Sequence, residues 1–328
     1  MKRRVLLVIN SFPSIKRRLK PKQSPDAHDQ ATVQTGSFEL KRNDKYYAWL
    51  FLGPSILALS VFVFYPMLRT LYLSFFLTNS LGEPTVFVGL QNYLNLLTTK
   101  SYLASLQATG IYVVGVTVFT LIGGLLLAAA ANQRVRGIEL FRTMFTSTMG
   151  VSVSVSAIFW LFMFNPSVGL LNKVAIWMHL PAINWLTEPH WAMVAIIMTS
   201  VWMHLGFTFL IFFGALQVVP KTLYDAADVA GTSRRYQFIH ITLPMISPTL
   251  FFAAVITLIS AFKSFGLIDL MTAGGPTNAT NLLVYRIYRD AFVDGNYALA
   301  STESIILAII IAAITVIQFK LLAKRVHY

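Results

Sequence analysis

Cysteine is absent from this 328-residue chain, and acidic residues are scarce, with 13 Asp and Glu against 26 Lys and Arg. Without cysteine there is no disulfide and no cysteine-ligated metal or redox centre. Charged residues make up 12% of the sequence, about half of the usual share, while 56% is hydrophobic and the mean hydropathy is +0.64. This composition is typical of a membrane protein.

Sequence signals for catalysis are also missing. No Gly-x-x-x-x-Gly-Lys-Ser/Thr segment occurs, so the chain has no phosphate-binding loop of that type. His190 and His204 are too isolated in the sequence to predict a metal site. We therefore predict a chain that is not an enzyme and that binds no metal and no cofactor of its own.

Six apolar stretches are long enough to cross a bilayer core, which takes about 20 helical residues. An isolated strand cannot satisfy its backbone in lipid, so an all-α polytopic membrane protein is predicted. In the third span, Ser152 and Ser156 are expected to share one packing face of a continuous helix. The predicted spans are residues 47–67, 103–131, 144–164, 191–219, 244–271 and 305–320.

Basic residues predict the orientation of these spans. The termini and the connections on their side carry twenty Lys and Arg, whereas the opposite connections carry four, Lys100, Lys173, Arg286 and Arg289. Because Lys and Arg accumulate on cytoplasmic loops, both termini and segment 220–244 are predicted to be cytoplasmic. This orientation explains the net charge of +13 better than nucleic-acid binding does.

Residues 1–45 form a basic segment with eleven Lys and Arg. Its apolar run, residues 5–9, is shorter than the roughly 7–15 residues of a secretory signal core. We predict a retained cytoplasmic tail that is disordered or lies on anionic membrane lipid. Residues 46–328 then form the transmembrane domain.

The polar segment between the fourth and fifth spans has the pattern of a helix, a turn and a helix. Pro220 suits the first helical position, and Gly231 suits the turn, where a left-handed conformation is favourable for glycine. Thr232 or Ser233 is the expected cap of the second helix. Helical spacing puts Leu223, Ala226, Ala227 and Ala230 on one face of the first helix, and Lys221, Asp225 and Asp228 on another.

This segment resembles the cytoplasmic coupling loop of bacterial ABC-importer permeases, whose pattern is Glu-Ala-Ala, a Gly four residues later and a final Ile-x-Leu-Pro. Residues 225–227 read Asp-Ala-Ala, Gly231 follows, and residues 241–244 read Ile-Thr-Leu-Pro. Two positions depart from the pattern: Asp225 replaces the usual Glu, and Ala230 stands where an acid often precedes the Gly. The shorter Asp225 side chain alters any ion pair that the Glu makes with its partner.

Other segments strengthen the resemblance. Residues 87–93, Phe-Val-Gly-Leu-Gln-Asn-Tyr, look like a signature of carbohydrate-uptake permeases, and residues 274–276, Gly-Gly-Pro, are similar to the same subfamily. Residues 164–166 and 169–172 are similar to glycerol-3-phosphate permeases in particular. The likeness covers nearly everything after Tyr46.

The resemblance implies a permease subunit of an ATP-binding-cassette importer in a bacterial inner membrane. Such a subunit forms half of the translocation pathway for a sugar or glycerol-3-phosphate. Its implied partners are a second homologous permease, a cytoplasmic ATPase pair that holds ATP and Mg, and an extracytoplasmic solute-binding protein. The residues implied in ATPase coupling are Tyr224, Asp225, Ala226, Ala227, Ala230, Gly231, Arg234, Leu243 and Pro244.

Polar groups at membrane depth are candidates for the substrate path, because they are costly in lipid and tend to face a cavity. Lys263 either meets an anionic or hydroxylated solute, or extends to the interface or pairs with Asp269. The other candidates have packing roles as alternatives: Ser260, Thr257, Trp202 and His204. Arg286 and Arg289 either touch an external partner or are solvated.

Two alternative functions remain open at the level of the residues. One is a secondary transporter or channel that works without an ATPase, although no internal repeat typical of such proteins is evident. The other is a membrane scaffold that transports nothing. Copurification of an ATPase and solute uptake by the reconstituted complex distinguish these alternatives.

Overall fold

The computed structural model describes residues 42–133 and 137–322. The chain divides into two compact units, one ending at Ile56 and the other beginning at Leu57, and the features discussed below belong to the second. Most of the tail predicted at residues 1–45 lies outside the described residues. Its last four residues do not form a disordered segment, because helix α1 begins at Arg42.

Fifteen α-helices and two strands are present in the described residues. The elements are α1 (Arg42–Leu59), α2 (Tyr65–Leu73), β1 (Phe76–Thr78), β2 (Pro84–Phe87), α3 (Gln91–Thr98), α4 (Lys100–Ala131), α5 (Ile138–Ser147), α6 (Val153–Met163), α7 (Leu170–Trp177), α8 (Pro189–Val218), α9 (Lys221–Val229), α10 (Arg234–Gln237), α11 (Leu243–Met245), α12 (Ser247–Phe262), α13 (Phe265–Met271), α14 (Leu283–Tyr288) and α15 (Tyr297–Leu322). Short π-helical segments join several of them, at Ser60–Phe64, Phe238–Thr242 and Arg289–Val293.

Four helical stretches in the described residues are long and apolar enough to cross a membrane, and two bent helix pairs bring the number to six if each pair is one span. The all-α polytopic architecture predicted from the sequence is confirmed, and four of the six predicted spans are close to straight helical stretches. The four stretches are Trp49–Leu73, Lys100–Ala131, Pro189–Val218 and Tyr297–Lys320.

The third predicted span is not one helix. Residues Ile138–Gly150 and Val153–Met163 meet at an angle of 111°. Ser152 has an extended backbone at this bend, and its hydroxyl accepts a hydrogen bond from the Val155 N–H, as an N-cap does. Ser152 is exposed while Ser156 is fully buried, so the predicted shared packing face is wrong.

The fifth predicted span is interrupted twice. The segment Arg234–Met245 meets Ser247–Phe262 at 68°, where Pro248 lies in the first turn of α12 and has no N–H to continue the preceding helix. The helix ends again at Lys263, and α13 begins at Phe265. The predicted continuous helix over residues 244–271 is therefore wrong, because apolar composition does not reveal these breaks.

Helices α4, α8 and α12 form the centre of the bundle. At one end, Ala108 and Tyr112 of α4 share a buried cluster with Ile196 of α8 and Phe262 of α12. Since the amino-terminal halves of α4 and α8 meet the last turn of α12, α12 runs antiparallel to the other two. The helices approach closely because Gly124 leaves no room for a side chain: a Cβ there would lie 2.6 Å from the Thr208 Cγ2 atom.

The bundle thus has two distinguishable ends. At the α9 end, Ala131 and Leu216 pack in one cluster with Tyr224. At the opposite end, which we call the hairpin end, β1 pairs antiparallel with β2, and the Thr78 hydroxyl accepts a hydrogen bond from the N–H of Ala298 at the start of α15. The sequence analysis, which predicted only helices, missed this two-stranded hairpin.

Candidate functional site

Helix α9 and its turn are formed by local sequence signals. Pro220 is the residue before the helix rather than its first residue, because α9 begins at Lys221. Gly231 has a φ of +70°, the left-handed conformation that glycine adopts without steric cost. Of the two predicted caps, Ser233 is the one used, and its hydroxyl accepts a hydrogen bond from the Tyr236 N–H.

Most of the surface of α9 has no partner within the described chain. Asp225 and Ala226 are exposed, and Val229 is 91% exposed. Within α9, Tyr224 and Ala227 are partly buried. The side chains of Tyr224 and Asp228 hydrogen-bond Thr242 and Gln237, which follow the turn. The face predicted to be apolar therefore points mostly away from the bundle, as a surface that docks another subunit must.

Side chains also tie α9 to the helices that follow the turn. The Tyr224 hydroxyl hydrogen-bonds the Thr242 hydroxyl at 2.8 Å, and the Gln237 Nε2 atom donates to Asp228 Oδ1 at 2.6 Å. The Arg234 guanidinium donates a hydrogen bond to the Gln237 Oε1 atom at 3.2 Å. The sequence analysis placed Arg234 in the coupling loop but did not single out Gln237, because a glutamine in a polar loop gives no signal that it is buried.

Leu243 and Pro244 lie in α11, where the segment that contains α9 and α10 joins the bundle. Leu243 is half-buried and packs against the cluster that contains Leu216 and Ile246. Pro244 lies in the first turn of α11, where the missing N–H of proline does not cost a hydrogen bond. These two residues therefore hold the α9–α10 segment against the bundle rather than present a docking surface.

A cavity of about 170 Å³ with several polar side chains in its wall lies at the break between α12 and α13. Three of the predicted substrate-path residues, Lys263, Ser260 and His204, line it together. Lys263 ends α12, so its side chain leaves a helix terminus instead of the middle of a continuous span. Within the described residues Lys263 forms no ion pair with Asp269, and this predicted alternative is not seen.

His204 and Ser200 come from one face of α8, four residues apart. The Nε2 atom of His204 is buried and has no hydrogen-bond partner among the described residues. Ser200 hydrogen-bonds the Tyr112 hydroxyl and lines the same cavity, as does Ser264. The sequence analysis missed both serines, although the i, i+4 spacing of Ser200 and His204 places them on one helical face.

The other two predicted substrate-path residues lie elsewhere. Thr257 is 4% exposed within α12 and does not line this cavity. Trp202 packs against Phe159 and Trp160, with ring centroids 5.9 Å away from each. The structure therefore places these two side chains in packing positions.

At the hairpin end, Arg286 is neither solvated nor free. Its Nε atom lies 2.6 Å from Glu303 Oε1 and 3.5 Å from Asp290 Oδ2, and its guanidinium also donates to the Ser101 hydroxyl at 3.1 Å. Burial raises the pKa of Asp290 above its usual value, while the neighbouring Arg286 acts to lower it. Arg289 lines a cavity of about 320 Å³ beside this cluster.

A helical bundle with bent spans, a cavity at a helix break and an exposed helix between two spans is the architecture of a polytopic membrane protein. The family described as binding-protein-dependent transport system inner membrane component matches residues 120–328, and the chain belongs to this family.

Curated relatives agree with this family. The sn-glycerol-3-phosphate transport system permease protein UgpA of Agrobacterium fabrum is 36% identical over 288 residues, which cover 87% of this chain and 97% of that protein. The proteins of the same description from Brucella suis and Yersinia pestis are 35% and 34% identical. The chain is therefore the permease subunit of an ABC importer, a transport component of the inner membrane.

Solved structures show the same fold. A bacterial ABC transporter that imports the acidic polysaccharide alginate matches with a TM-score of 0.74 and 23% identity, over 87% of this chain and 97% of the matched chain. The MetNI methionine ABC transporter matches with a TM-score of 0.50 and 16% identity, over 72% of this chain and 99% of the matched chain.

Proposed function

We propose that this permease imports a small polyol phosphate or sugar, with glycerol-3-phosphate as the first candidate, and that α9 docks the ATPase on the cytoplasmic side. The exposed surface of α9 is the observation that carries the coupling role, since an amphipathic helix held against the bundle only by Tyr224, Ala227 and Asp228 leaves its remaining surface for another subunit. In this proposal the chain has no nucleotide site of its own, and ATP and Mg belong to the partner ATPase.

The α12–α13 cavity supports the choice of solute. Lys263 supplies a positive charge, His204 a ring nitrogen without a partner among the described residues, and Ser260 a hydroxyl. These groups suit a solute that carries a phosphate and hydroxyls. A volume of about 170 Å³ is below the roughly 300–1,000 Å³ of pockets for drug-sized ligands, which fits a small solute or one half of a shared pathway.

The proposed partners are those of the importers to which the chain is similar. A second homologous permease is expected to complete the pathway. A solute-binding protein is expected to deliver the solute at the hairpin end, and both termini are expected in the cytosol, on the α9 side. The residues proposed to contact or position the ATPase are Tyr224, Asp225, Ala226, Ala227, Ala230, Gly231, Arg234, Leu243 and Pro244.

Reconstitution tests this proposal directly. The chain is coexpressed with its neighbouring permease, ATPase and binding-protein genes, purified and placed in proteoliposomes with ATP inside. We expect uptake of radiolabelled glycerol-3-phosphate that requires both ATP and the binding protein. Uptake without ATP would instead indicate a secondary transporter. Uptake of a neutral sugar but not of the phosphate would identify a sugar, rather than glycerol-3-phosphate, as the solute.

A further inference from the structure

Three places outside the proposed solute cavity and docking face hold polar groups that the proposed function does not use. At the hairpin end, the Arg286 cluster pairs its charges internally. The cavity beside Ala108 and Met193 is mostly apolar, and nothing in the described residues indicates what covers it. The third place is the contact between α9 and the helices after the turn, where the buried amide of Gln237 joins α9 to α10.

Gln237 is the central residue of this contact. It is 2% exposed, which is unusual for an amide side chain unless its polar atoms have partners. Its Nε2 atom donates to Asp228 Oδ1 at 2.6 Å and approaches the Thr232 carbonyl at 3.3 Å, while its Oε1 atom accepts from Arg234. One side chain thus joins α9, the turn and α10.

A second bond lies toward the bundle. The Tyr224 hydroxyl bonds the Thr242 hydroxyl, and Thr242 is 4% exposed in the π-helical segment that leads into α11. The turn between the two bonded helices contains Gly231, whose backbone offers little resistance to rotation. The side-chain bonds therefore act together with the backbone bonds of the turn, where the N–H and the hydroxyl of Thr232 both donate to the Ala227 carbonyl, to fix the angle between α9 and α10.

The contributions of the individual bonds differ. The Asp228–Arg234 pair is 3.4 Å long, and its side chains are 48% and 80% exposed, so water and salt screen it. The Gln237–Asp228 bond is short, is covered on the Gln237 side and has a carboxylate as acceptor, and such bonds are about twice as strong as neutral ones. The acceptor oxygen of Asp228 is therefore the important part of this residue, more than its charge toward Arg234.

We propose that the Gln237–Asp228 and Tyr224–Thr242 bonds form a clamp that makes α9, α10 and the π-helical segment up to Thr242 one rigid lever, which joins α12 at the 68° bend. Asp228 and Gln237 are then positioning residues: they transmit movement of the docked α9 to α12 and so to the Lys263 cavity at its far end. This inference rests on the proposed coupling role of α9. Without the clamp, the ATPase moves α9 about the Gly231 turn, and the movement does not reach the spans.

The test compares Asp228→Ala and Gln237→Ala with Asp228→Asn in the reconstituted complex. Asn keeps an acceptor oxygen for Gln237, but it loses the carboxylate charge that strengthens this bond as well as the screened pair with Arg234. We expect both alanine variants to assemble with the ATPase and to lower solute uptake per ATP hydrolysed by about threefold or more, since a bond to a charged acceptor shifts a two-state ratio by roughly tenfold. Asp228→Asn, which keeps a neutral acceptor, is expected to retain more of the wild-type ratio than either alanine variant.

A spectroscopic measurement separates a loose clamp from general damage. The chain has no cysteine, so spin labels are introduced at Val229→Cys and Ile239→Cys, two exposed positions on either side of the turn. We expect the distance distribution between the labels to broaden in the Gln237→Ala and Asp228→Ala backgrounds and to broaden less in Asp228→Asn.

The outcomes are distinguishable. Wild-type uptake per ATP and unchanged label distances in both alanine variants would overturn the clamp, and so would an Asp228→Asn variant as impaired as Asp228→Ala. If the wild-type complex itself shows no ATP-dependent uptake, the proposed function fails, while the label distances still decide whether the clamp holds the two helices together.

Discussion

At the scale of single residues, the partners of each polar side chain in this apolar bundle indicate whether that side chain has a structural role or faces a cavity. A charged or hydrogen-bonding group in lipid or a dry core is costly, so it is paired or faces water. Arg286 is paired, with Glu303 and Asp290 around it. Lys263 has no ion-pair partner among the described residues and opens into a cavity instead, which makes it the residue whose substitution best tests solute recognition.

We predict that Lys263→Gln weakens uptake of glycerol-3-phosphate. A hydrogen bond to a charged group contributes about 1.5–3 kcal/mol, so the apparent KM for uptake is expected to rise by about tenfold or more. The measurement is ATP-dependent uptake in proteoliposomes at a range of concentrations of solute-loaded binding protein. Lys173→Gln, at an exposed lysine on α7, is the matched control and is expected to keep the wild-type KM.

An unchanged KM in Lys263→Gln would remove Lys263 from the substrate path. A fall in the maximal rate with no change in KM would place Lys263 in the movement of the α12–α13 break instead of in solute recognition.

At the scale of elements, the sequence predicted more of the helices than of the breaks between them. Length and apolar composition identify α4, α8 and α15 without tertiary information, since about 20 apolar residues suffice. The bends at Ser152 and Lys263 depend on which backbone groups find partners after packing. Ser152 has an extended backbone, and its hydroxyl caps α6 by accepting a hydrogen bond from the Val155 N–H. A serine within an apolar run does not by itself predict such a cap.

The helix-turn-helix segment formed by α9 and α10 was predictable because its signals are local. A proline before α9, a glycine in the turn and a serine cap lie within fifteen residues, so each acts through its own backbone. The solute cavity was predictable only in part. Ser200, Ser260 and Lys263 meet through the packing of α8 against α12, and no spacing along the sequence encodes that contact.

We predict that Gly231→Val uncouples transport while Gly231→Asn largely preserves it. The φ of +70° is a strained conformation for a β-branched residue, whereas asparagine adopts the left-handed region more readily than other residues with a Cβ. A Cβ at this position would meet no atom within 4 Å, so the expected effect comes from the backbone angle and not from a clash. The measurement is ATPase activity stimulated by the binding protein, in proteoliposomes that contain equal amounts of each variant.

Full stimulation in Gly231→Val would show that coupling does not depend on the geometry of the turn. Equal loss in both variants would indicate that the flexibility of glycine, more than its left-handed angle, is required.

At the scale of the whole molecule, the bundle has the polar α9–α10 segment at one end and the β-hairpin at the other. The proposed mechanism depends on which of these two ends faces the cytosol. Helix α12 connects the two functions, because it begins beside α9 and ends at Lys263. In the proposed mechanism, movement of α9 passes through the 68° bend and then along α12 to the cavity. This works for import only if α9 is on the same side as ATP.

We predict that the α9 end is cytoplasmic and that the hairpin end is on the outer side. The absence of cysteine allows single labels at Val229→Cys and at Leu81→Cys, which lies in the turn between β1 and β2 and is 80% exposed. In intact spheroplasts, a membrane-impermeant maleimide is expected to label Leu81→Cys and to reach Val229→Cys only after permeabilisation. Labelling of Val229→Cys in intact spheroplasts would place α9 on the side without ATP and would refute both the docking role of α9 and the clamp's role in coupling.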